Sequence, residues 1–298
     1  MPTTPPGPAR DGAGAMSLAR RLRRLVRPAQ SRARKPTGKP RTAAGKEPPA
    51  IPEGWTVGPP DYIGIGVQKA GTTRWWKLIA RHPDVVGELK ETHQLSRLGW
   101  RPMFDADRES YYRYFPRPAG KVTGEWTPRY MNVPGVVDTM KALAPEARLL
   151  VLLRDPVERY RSGVGQWQKR KEQRGKRLNL WAGRKDAYAR SFYGFTLQRF
   201  IEAFGRERIL ILQFERCLAD PAGEYQRTLQ FLGLPDWLPD PELLGRRVNV
   251  SRKRPSPTVL DEPPDLVDSL AEDVRLLVSF APDIDLSLWP NFRYLVGA

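Results

Sequence analysis

Three hydrophobic runs, each long enough for one buried strand, punctuate the chain at 62–67, 148–153 and 208–214. Strands that are apolar on both faces are typical of parallel sheets covered by helices. Helical patterns follow or separate these runs, at 72–81, 157–177 and 195–204. The alternation predicts an α/β fold with a central, mainly parallel β-sheet flanked by helices.

The first 50 residues follow no hydrophobic period, and they are rich in Pro, Ala, Gly and Arg. This composition predicts a disordered basic tail over 1–50, followed by one globular domain over 60–298. Within the tail, residues 17–27 space leucines along one side of a helix and place arginines on the others. Two interpretations stay open for this segment: weak contact with a membrane surface, or a solvated stretch of the tail.

The charge of the chain is strongly positive and unevenly distributed. Its 298 residues include 50 Lys plus Arg and 33 Asp plus Glu, for a net charge of +17, and residues 1–50 alone carry +10. The +7 of the remainder indicates an anionic ligand, either a small phosphorylated molecule or a polymer. A nucleic-acid-binding protein is one alternative, with basic runs such as 169–171 as its contacts.

Few residues are available for metal chemistry, because the sequence has one cysteine, Cys217, and two histidines, His82 and His93. A multi-cysteine zinc or iron–sulfur site is therefore excluded. No apolar stretch approaches the ~18 residues that a membrane-spanning helix needs, and the N-terminus lacks the apolar run of a secretory signal. The expected location is the cytoplasm, and Cys217 is expected to be a small buried residue.

A glycine turn joins the first predicted strand to the first predicted helix. Gly66 and Gly71 have the spacing of a phosphate-binding P-loop, but Thr72 stands where that motif has its lysine, and the lysine of this chain is Lys69. Backbone N–H groups and a helix N-terminus at such a turn favour an anion. The moved lysine argues against a Mg²⁺-dependent kinase, but two alternatives to an anion site of another kind stay open. One is that kinase, and the other is an ordinary strand-to-helix turn that binds nothing.

The second strand ends in Arg154, at the edge where open α/β sheets bind ligands. A guanidinium there can hold a phosphate through two hydrogen bonds. Ser162 follows about two helical turns later and can add a hydroxyl to the same anion. Asp155 is open to a second interpretation, as the metal-binding acid of a nucleotide hydrolase.

Together these segments resemble a known family. The runs 68–73 and 148–162 look like the 5′-phosphosulfate loop and the 3′-phosphate strand of sulfotransferases that use 3′-phosphoadenosine 5′-phosphosulfate (PAPS). Lys90-Glu91-Thr92-His93, the run 124–130 and Gln166 resemble the carbohydrate branch, the heparan sulfate sulfotransferase-like domains. The resemblance covers roughly 60–290 and implies a P-loop-like three-layer sandwich.

The resemblance also implies roles for individual residues. Arg154 and Ser162 hold the 3′-phosphate of PAPS, and adenosine 3′,5′-bisphosphate is the product, with no metal required. The residues expected at the 5′-phosphate and the sulfuryl group are Lys69, Ala70, Gly71, Thr72, Thr73 and Arg74.

On the acceptor side, Glu91 matches the general base of the carbohydrate branch, and His93 is expected to assist or position it. The expected acceptor is a hydroxyl or amine of a carbohydrate or glycolipid, and no nucleic acid is expected as a partner. The family commonly has lysine where this chain has Trp126, which either stacks on an acceptor or belongs to the core. Gln94 and Leu95 replace the usual aromatic pair, so acceptor specificity is expected to differ.

Overall fold

The computed structural model describes residues 47–87, 90–173, 179–245 and 262–296, together with Met1. Residues 44–298 form one compact unit. The predicted disordered tail lies outside the described residues except at its ends, and so does the whole of the 17–27 segment.

A parallel β-sheet forms the centre of this unit. In the described part of the chain its five strands lie in the order β3-β5-β2-β6-β7, and every neighbouring pair is parallel. Two further strands, β1 and β4, pair antiparallel apart from it. The strands are β1 Thr56–Val57, β2 Tyr62–Gly66, β3 Val85–Val86, β4 Pro116–Arg117, β5 Val122–Trp126, β6 Arg148–Leu153 and β7 Ile209–Gln213. The predicted sheet is confirmed.

Helices follow or separate the strands, as the sequence predicts. They are α1 Thr72–Ile79, α2 Gln94–Leu98, α3 Asp105–Tyr112, α4 Val136–Leu143, α5 Pro156–Gln173, α6 Leu180–Ala189, α7 Gly194–Phe204, α8 Phe214–Ala219, α9 Pro221–Leu232, α10 Pro241–Gly245 and α11 Leu266–Phe280. The third hydrophobic run is shorter than predicted, because Phe214 begins α8 instead of ending β7. No helix in the described ranges is long and apolar enough to cross a membrane.

Burial of the central strands accounts for their continuous apolar sequence. All five residues of β2 and the last five of β6 are buried, as expected for strands covered on both faces. Helix α11 packs on α7 through apolar residues spaced at about one helical turn, among them Leu270, Val274 and Leu277. Its buried Asp273 accepts hydrogen bonds from three successive N–H groups at the start of α7, which supplies the acceptor that a helix N-terminus needs.

Candidate functional site

The carboxyl ends of the parallel strands meet at one edge of the sheet. The chain leaves β2 into the glycine turn, β5 into Thr127, β6 into Arg154 and β7 into Phe214. In open α/β sheets, ligands bind at this edge where the connections from two neighbouring strands run in opposite directions along the sheet. The strand order reverses in this way next to β2. Three of the sequence-predicted segments therefore share one edge.

The glycine turn has a backbone suited to an anion. Lys69 and Gly71 both have positive φ, 77° and 88°, and Gly71 is the N-cap of α1. A Cβ on Gly71 would lie 2.9 Å from the Phe214 ring, so both conformation and packing require glycine here. The N–H groups of Thr72 and Thr73 lie in the first turn of α1, where a helix leaves its donors without intrahelical partners.

Lys69 sits among other cations. Burial lowers the pKa of its ammonium group, and the nearby charges of Arg170, Arg154, Arg159 and Lys169 lower it further. Such crowding of like charges is unfavourable unless an anion binds between them. The electrostatics therefore agree with the predicted role of Lys69.

Arg154 contacts the same turn from the end of β6. Its Nη1 donates to the carbonyl of Lys69 at 3.4 Å, its Nη2 donates to Glu158 at 3.2 Å, and its guanidinium lies 5.3 Å from the Phe214 ring centroid. Ser162 lies two turns into α5 and is partly buried. The structure thus joins Arg154 directly to the lysine turn.

Arg74 is placed differently from the sequence-based expectation. Its side chain is buried, and its guanidinium donates to the backbone carbonyls of Cys217 at 3.3 Å and of Leu244. These bonds tie α1 to α8 and α10. Because its donors serve the packing of helices, we leave Arg74 out of the anion-binding set.

Asp155 has a backbone role instead of the metal-binding one. Its Oδ1 accepts from the N–H groups of Val157 and Glu158 at the start of α5, at 2.9 and 3.2 Å. Its Oδ2 accepts from the backbone and side-chain nitrogens of Asn291, at 3.1 and 2.9 Å. A search of the described residues finds no group of three or more His, Cys, Asp or Glu able to hold a metal ion.

The segment Lys90–His93 brings the predicted base and its neighbours together. Glu91 Oε1 lies 2.5 Å from Lys90 Nζ, and its Oε2 lies 3.3 Å from His93 Nε2. Burial alone would raise the pKa of Glu91, but the hydrogen bonds from His93 and Lys90 outweigh it and lower the pKa to about 2. The carboxylate is therefore ionised at neutral pH, and more than a third of its side chain is exposed.

A buried carboxylate that sequence reasoning missed holds this segment in place. Glu125, on β5, is fully buried and accepts five hydrogen bonds. The donors are Thr92 N, Thr92 Oγ1, Thr127 Oγ1, Tyr130 Oη and Tyr111 Oη, at 2.7–3.1 Å. In addition, Trp126 N donates to the carbonyl of Lys90 at 2.6 Å. Glu91 therefore projects from a loop that is fixed to the end of β5.

Trp126 belongs to the core. Its side chain is fully buried, and its Nε1 donates to the carbonyl of Gly66 at 3.0 Å. A Cβ on Gly64 would overlap the Trp126 ring, at 2.1 Å from its nearest atom. Of the two interpretations of Trp126 that the sequence left open, the structure supports the core, and the indole joins the ends of β2 and β5.

Comparison with known proteins agrees with this geometry. Residues 100–239 match a family model described as the sulfotransferase family. Over 78% of its length the chain superposes on 99% of a sulfotransferase from Alicyclobacillus acidocaldarius, with a TM-score of 0.57 and 25% identity. The chain is therefore similar to sulfotransferases in this segment and in its fold. The family match thus covers the segment from the end of α2 to just before α10, and the structural match extends beyond it.

Heparan sulfate enzymes are among the proteins that this chain resembles. The chain is 29% identical over 185 residues to heparan sulfate glucosamine 3-O-sulfotransferase 3B1 of Homo sapiens. It is 21% identical over 197 residues to bifunctional heparan sulfate N-deacetylase/N-sulfotransferase 4 of Mus musculus. Each match spans 59% of this chain, but only 46% and 22% of the two relatives. The predicted resemblance to the carbohydrate branch is confirmed.

Proposed function

We propose that this protein is a sulfotransferase that transfers a sulfuryl group from PAPS to a hydroxyl or amine of a carbohydrate-like acceptor. The observation that carries the proposal is the junction of Lys69 and Arg154, where a crowded ammonium group and a strand-end guanidinium meet around a helix N-terminus. Two phosphate-bearing ends of one nucleotide fit these groups. The heparan sulfate relatives support the acceptor class.

The donor-binding roles follow from position. We assign Lys69 and the N–H groups of Gly71, Thr72 and Thr73 to the 5′-phosphate and the sulfuryl group, whereas the N–H of Ala70 already donates to the carbonyl of Val67 at 3.4 Å. Arg154 and Ser162 hold the 3′-phosphate. Bound PAPS supplies the sulfuryl group, with adenosine 3′,5′-bisphosphate as its leaving group. Cations and N–H donors fixed in advance stabilise the charge that develops on the leaving phosphate, so the proposal requires no metal.

Glu91 is the proposed general base. It is ionised and partly exposed, and it can accept the proton of an attacking hydroxyl. Its two neighbours, Lys90 and His93, hold one carboxylate oxygen each, so the proton acceptor has a fixed orientation. His93 has a left-handed backbone conformation, φ 57°, which is uncommon outside glycine although histidine adopts it more readily than most residues.

Calorimetric titration tests the donor site without an acceptor. The full chain in EDTA is titrated with adenosine 3′,5′-bisphosphate, and with ATP for comparison. We expect micromolar affinity for the bisphosphate and a much lower affinity for ATP. Lys69→Ala and Arg154→Ala should each weaken bisphosphate binding about tenfold or more, whereas Lys77→Ala, an exposed lysine on α1, should not.

The outcome separates this proposal from the kinase alternative. A preference for ATP that appears only with Mg²⁺, or equal loss of affinity in all three variants, would overturn the sulfotransferase assignment of this edge. Glu91→Gln gives a second test, because it should retain bisphosphate affinity while it abolishes turnover with any accepted sugar. Normal turnover in Glu91→Gln would mean that another residue is the general base.

A further inference from the structure

A chain of alternating charges ends at Arg154, the arginine assigned to the 3′-phosphate. Arg154 Nη2 donates to Glu158 Oε2 at 3.2 Å. The other oxygen of that carboxylate, Oε1, accepts from Arg161 Nη1 at 2.7 Å. Arg161 in turn donates through Nε and Nη2 to the two oxygens of Glu262, at 2.6 and 2.9 Å. Four side chains therefore form one continuous series of ion pairs, from Glu262 to the proposed nucleotide site.

The position of Glu158 is unexpected for a phosphate site. It lies in the first turn of α5, four residues before Ser162, so the two side chains are neighbours on one face of the helix. Arg154 and Ser162 are both assigned to the 3′-phosphate. A carboxylate beside a bound phosphate repels it, and Glu158 already accepts from a guanidinium nitrogen that the phosphate needs. The site therefore contains a negative charge that opposes its own ligand.

Arg161 holds this carboxylate more closely than Arg154 does. The two bonds to Glu158 are 2.7 Å from Arg161 and 3.2 Å from Arg154. Arg161 is itself fixed, because two of its nitrogens donate to the same carboxylate of Glu262. These hydrogen bonds, first to Glu262 and then to Glu158, raise the pKa of Arg161. When another anion reaches Arg154, Glu158 can therefore give up the longer bond and keep the shorter one.

We propose that Glu158 competes with the 3′-phosphate for Arg154, and that Arg161, anchored by Glu262, limits this competition. The proposal rests on the proposed function, because it uses the assignment of Arg154 to the 3′-phosphate. Glu158, Arg161 and Glu262 are positioning residues, which act on the nucleotide through Arg154. The consequence is an adenosine 3′,5′-bisphosphate product that binds less tightly than it would to an uncontested arginine, which favours its release.

The test compares adenosine 3′,5′-bisphosphate with adenosine 5′-monophosphate, which lacks the 3′-phosphate, by calorimetric titration of the full chain. Glu158→Gln should bind the bisphosphate about fivefold more tightly, because it removes the competing charge. Arg161→Gln should bind it about tenfold more weakly, because Glu158 then pairs fully with Arg154. Glu262→Gln should weaken binding less than Arg161→Gln does, and Arg161→Lys should retain part of the affinity. The monophosphate affinity should stay unchanged in all four variants.

A double variant separates the proposed role of Arg161 from direct contact with the phosphate. In the Glu158→Gln background, Arg161→Gln should change bisphosphate affinity by no more than about twofold, since no carboxylate remains to be held. A loss that stays about tenfold in that background would make Arg161 a phosphate ligand and overturn the proposal. Weaker bisphosphate binding in Glu158→Gln alone would also overturn it, because Glu158 would then support Arg154 instead of competing for it.

Arg227→Gln is the matched control. Arg227, on α9, also joins a glutamate three residues earlier to a distant carboxylate, through Glu224 at 3.0 Å and Asp283 at 3.3 Å. Its exposure, 32%, is close to the 36% of Arg161. Ion pairs this exposed contribute little to stability, so both variants should fold. Arg227→Gln should leave both nucleotide affinities unchanged, and a loss of bisphosphate affinity equal to that of Arg161→Gln would overturn the specific role of Arg161.

Dissociation rates provide a second readout. In stopped-flow displacement, the bisphosphate should leave Glu158→Gln more slowly and Arg161→Gln faster than it leaves the unaltered protein. Unchanged rates and affinities in the two variants, with bisphosphate still preferred over monophosphate, would overturn the competition alone. If the unaltered protein binds the bisphosphate no better than the monophosphate, the assignment of Arg154 to the 3′-phosphate fails, and the proposed function fails with it.

Discussion

Glu91 takes its chemical character from two neighbours on its own loop. Lys90 and His93 each hold one oxygen of the carboxylate, and together they overcome the effect of burial on its pKa. A proton acceptor with so low a pKa is always ionised at neutral pH but is intrinsically a weak base. If Glu91 is the base, as proposed, its position next to the attacking hydroxyl must contribute to catalysis as much as its basicity does.

Carboxyl ¹³C NMR titration of the protein tests this arrangement. The Glu91 resonance should titrate near pH 2, and His93→Ala should move it upward, toward the ordinary range of a glutamate, because one of the two stabilising hydrogen bonds is lost. Any stability that the ionised carboxylate contributes is present above its unfolded pKa and is lost as the pH falls through the folded value. An unchanged resonance in His93→Ala would mean that the histidine does not bond to the carboxylate in solution.

The lowered pKa of Lys69 gives a second prediction about pH. Because burial and neighbouring cations lower its pKa, stability should rise with pH between the folded and unfolded values, as the folded state loses its proton first. A bound bisphosphate should raise that pKa again. At alkaline pH, binding should therefore take up protons, measured as a dependence of calorimetric heat on buffer ionisation enthalpy, and Lys69→Met should abolish the uptake. Uptake that persists in Lys69→Met would assign it to another group.

Residue types were more predictable from sequence than side-chain directions. The spacing around Lys69 and Arg154 predicted an anion site that the fold does bring together. Arg74 follows the same loop by one residue, yet its direction depends on the carbonyls of α8 and α10, which are far away in sequence. Arg159 was visible inside the 148–162 run, but its burial depends on packing against α6.

At the scale of secondary-structure elements, β5 and its buried glutamate are the feature that the hydrophobic pattern did not reveal. The strand contains Gly124 and Glu125, so it lacks a continuous apolar run. Five hydrogen bonds compensate for the burial of the carboxylate, whose pKa burial nevertheless raises. A buried strand can therefore carry a carboxyl group when neighbouring elements supply hydrogen-bond donors to it. A single sequence does not show which residues will supply those donors.

Glu125→Gln tests whether β5 positions the loop Lys90–His93, which carries the proposed base. The glutamine amide would bring its own N–H donors against the hydroxyl and N–H groups that now donate to the Glu125 carboxylate. We therefore expect a loss of about 1–3 kcal/mol in stability. The loop should also lose its fixed position, which lowers kcat more than it changes the KM for PAPS. Denaturant melts and steady-state kinetics measure the two effects.

Glu224→Gln is the control for Glu125→Gln. Glu224 is also largely buried, but it bonds to Arg227 on α9 and makes no contact with the loop in the described interactions. It should lower stability without lowering kcat. A Glu125→Gln enzyme with reduced stability and normal kcat would limit Glu125 to a structural role.

At the scale of the whole molecule, the sheet order creates the site. Alternating strands and helices predict a parallel sheet, but they do not specify that β2 lies between β5 and β6. That order depends on contacts between distant segments, such as the indole of Trp126 with Gly66. It places the lysine turn between the loop Lys90–His93 and Arg154. The location of the proposed site therefore follows from tertiary contacts more than from local sequence.

Asn291 extends this argument to the last described segment. It bonds to Asp155, next to Arg154, while Trp289 Nε1 donates to Glu215 at 2.9 Å. Asn291→Ala should lower stability by about 1 kcal/mol and weaken bisphosphate binding, because the end of β6 loses one support. Arg293→Ala, an exposed neighbour, should change neither. Unaltered bisphosphate affinity in Asn291→Ala would separate this contact from the donor site.

The contact between Asp155 and Asn291 also sets an order in time. The two residues are 136 positions apart, which a ribosome crosses in roughly 7–27 seconds at ~5–20 residues per second. During that interval β6 and Arg154 have been made, but Asn291, the partner of Asp155, has not. A nascent chain therefore gains this support for the end of β6 only after most of the described fold has been made, so the proposed donor site is completed late in synthesis.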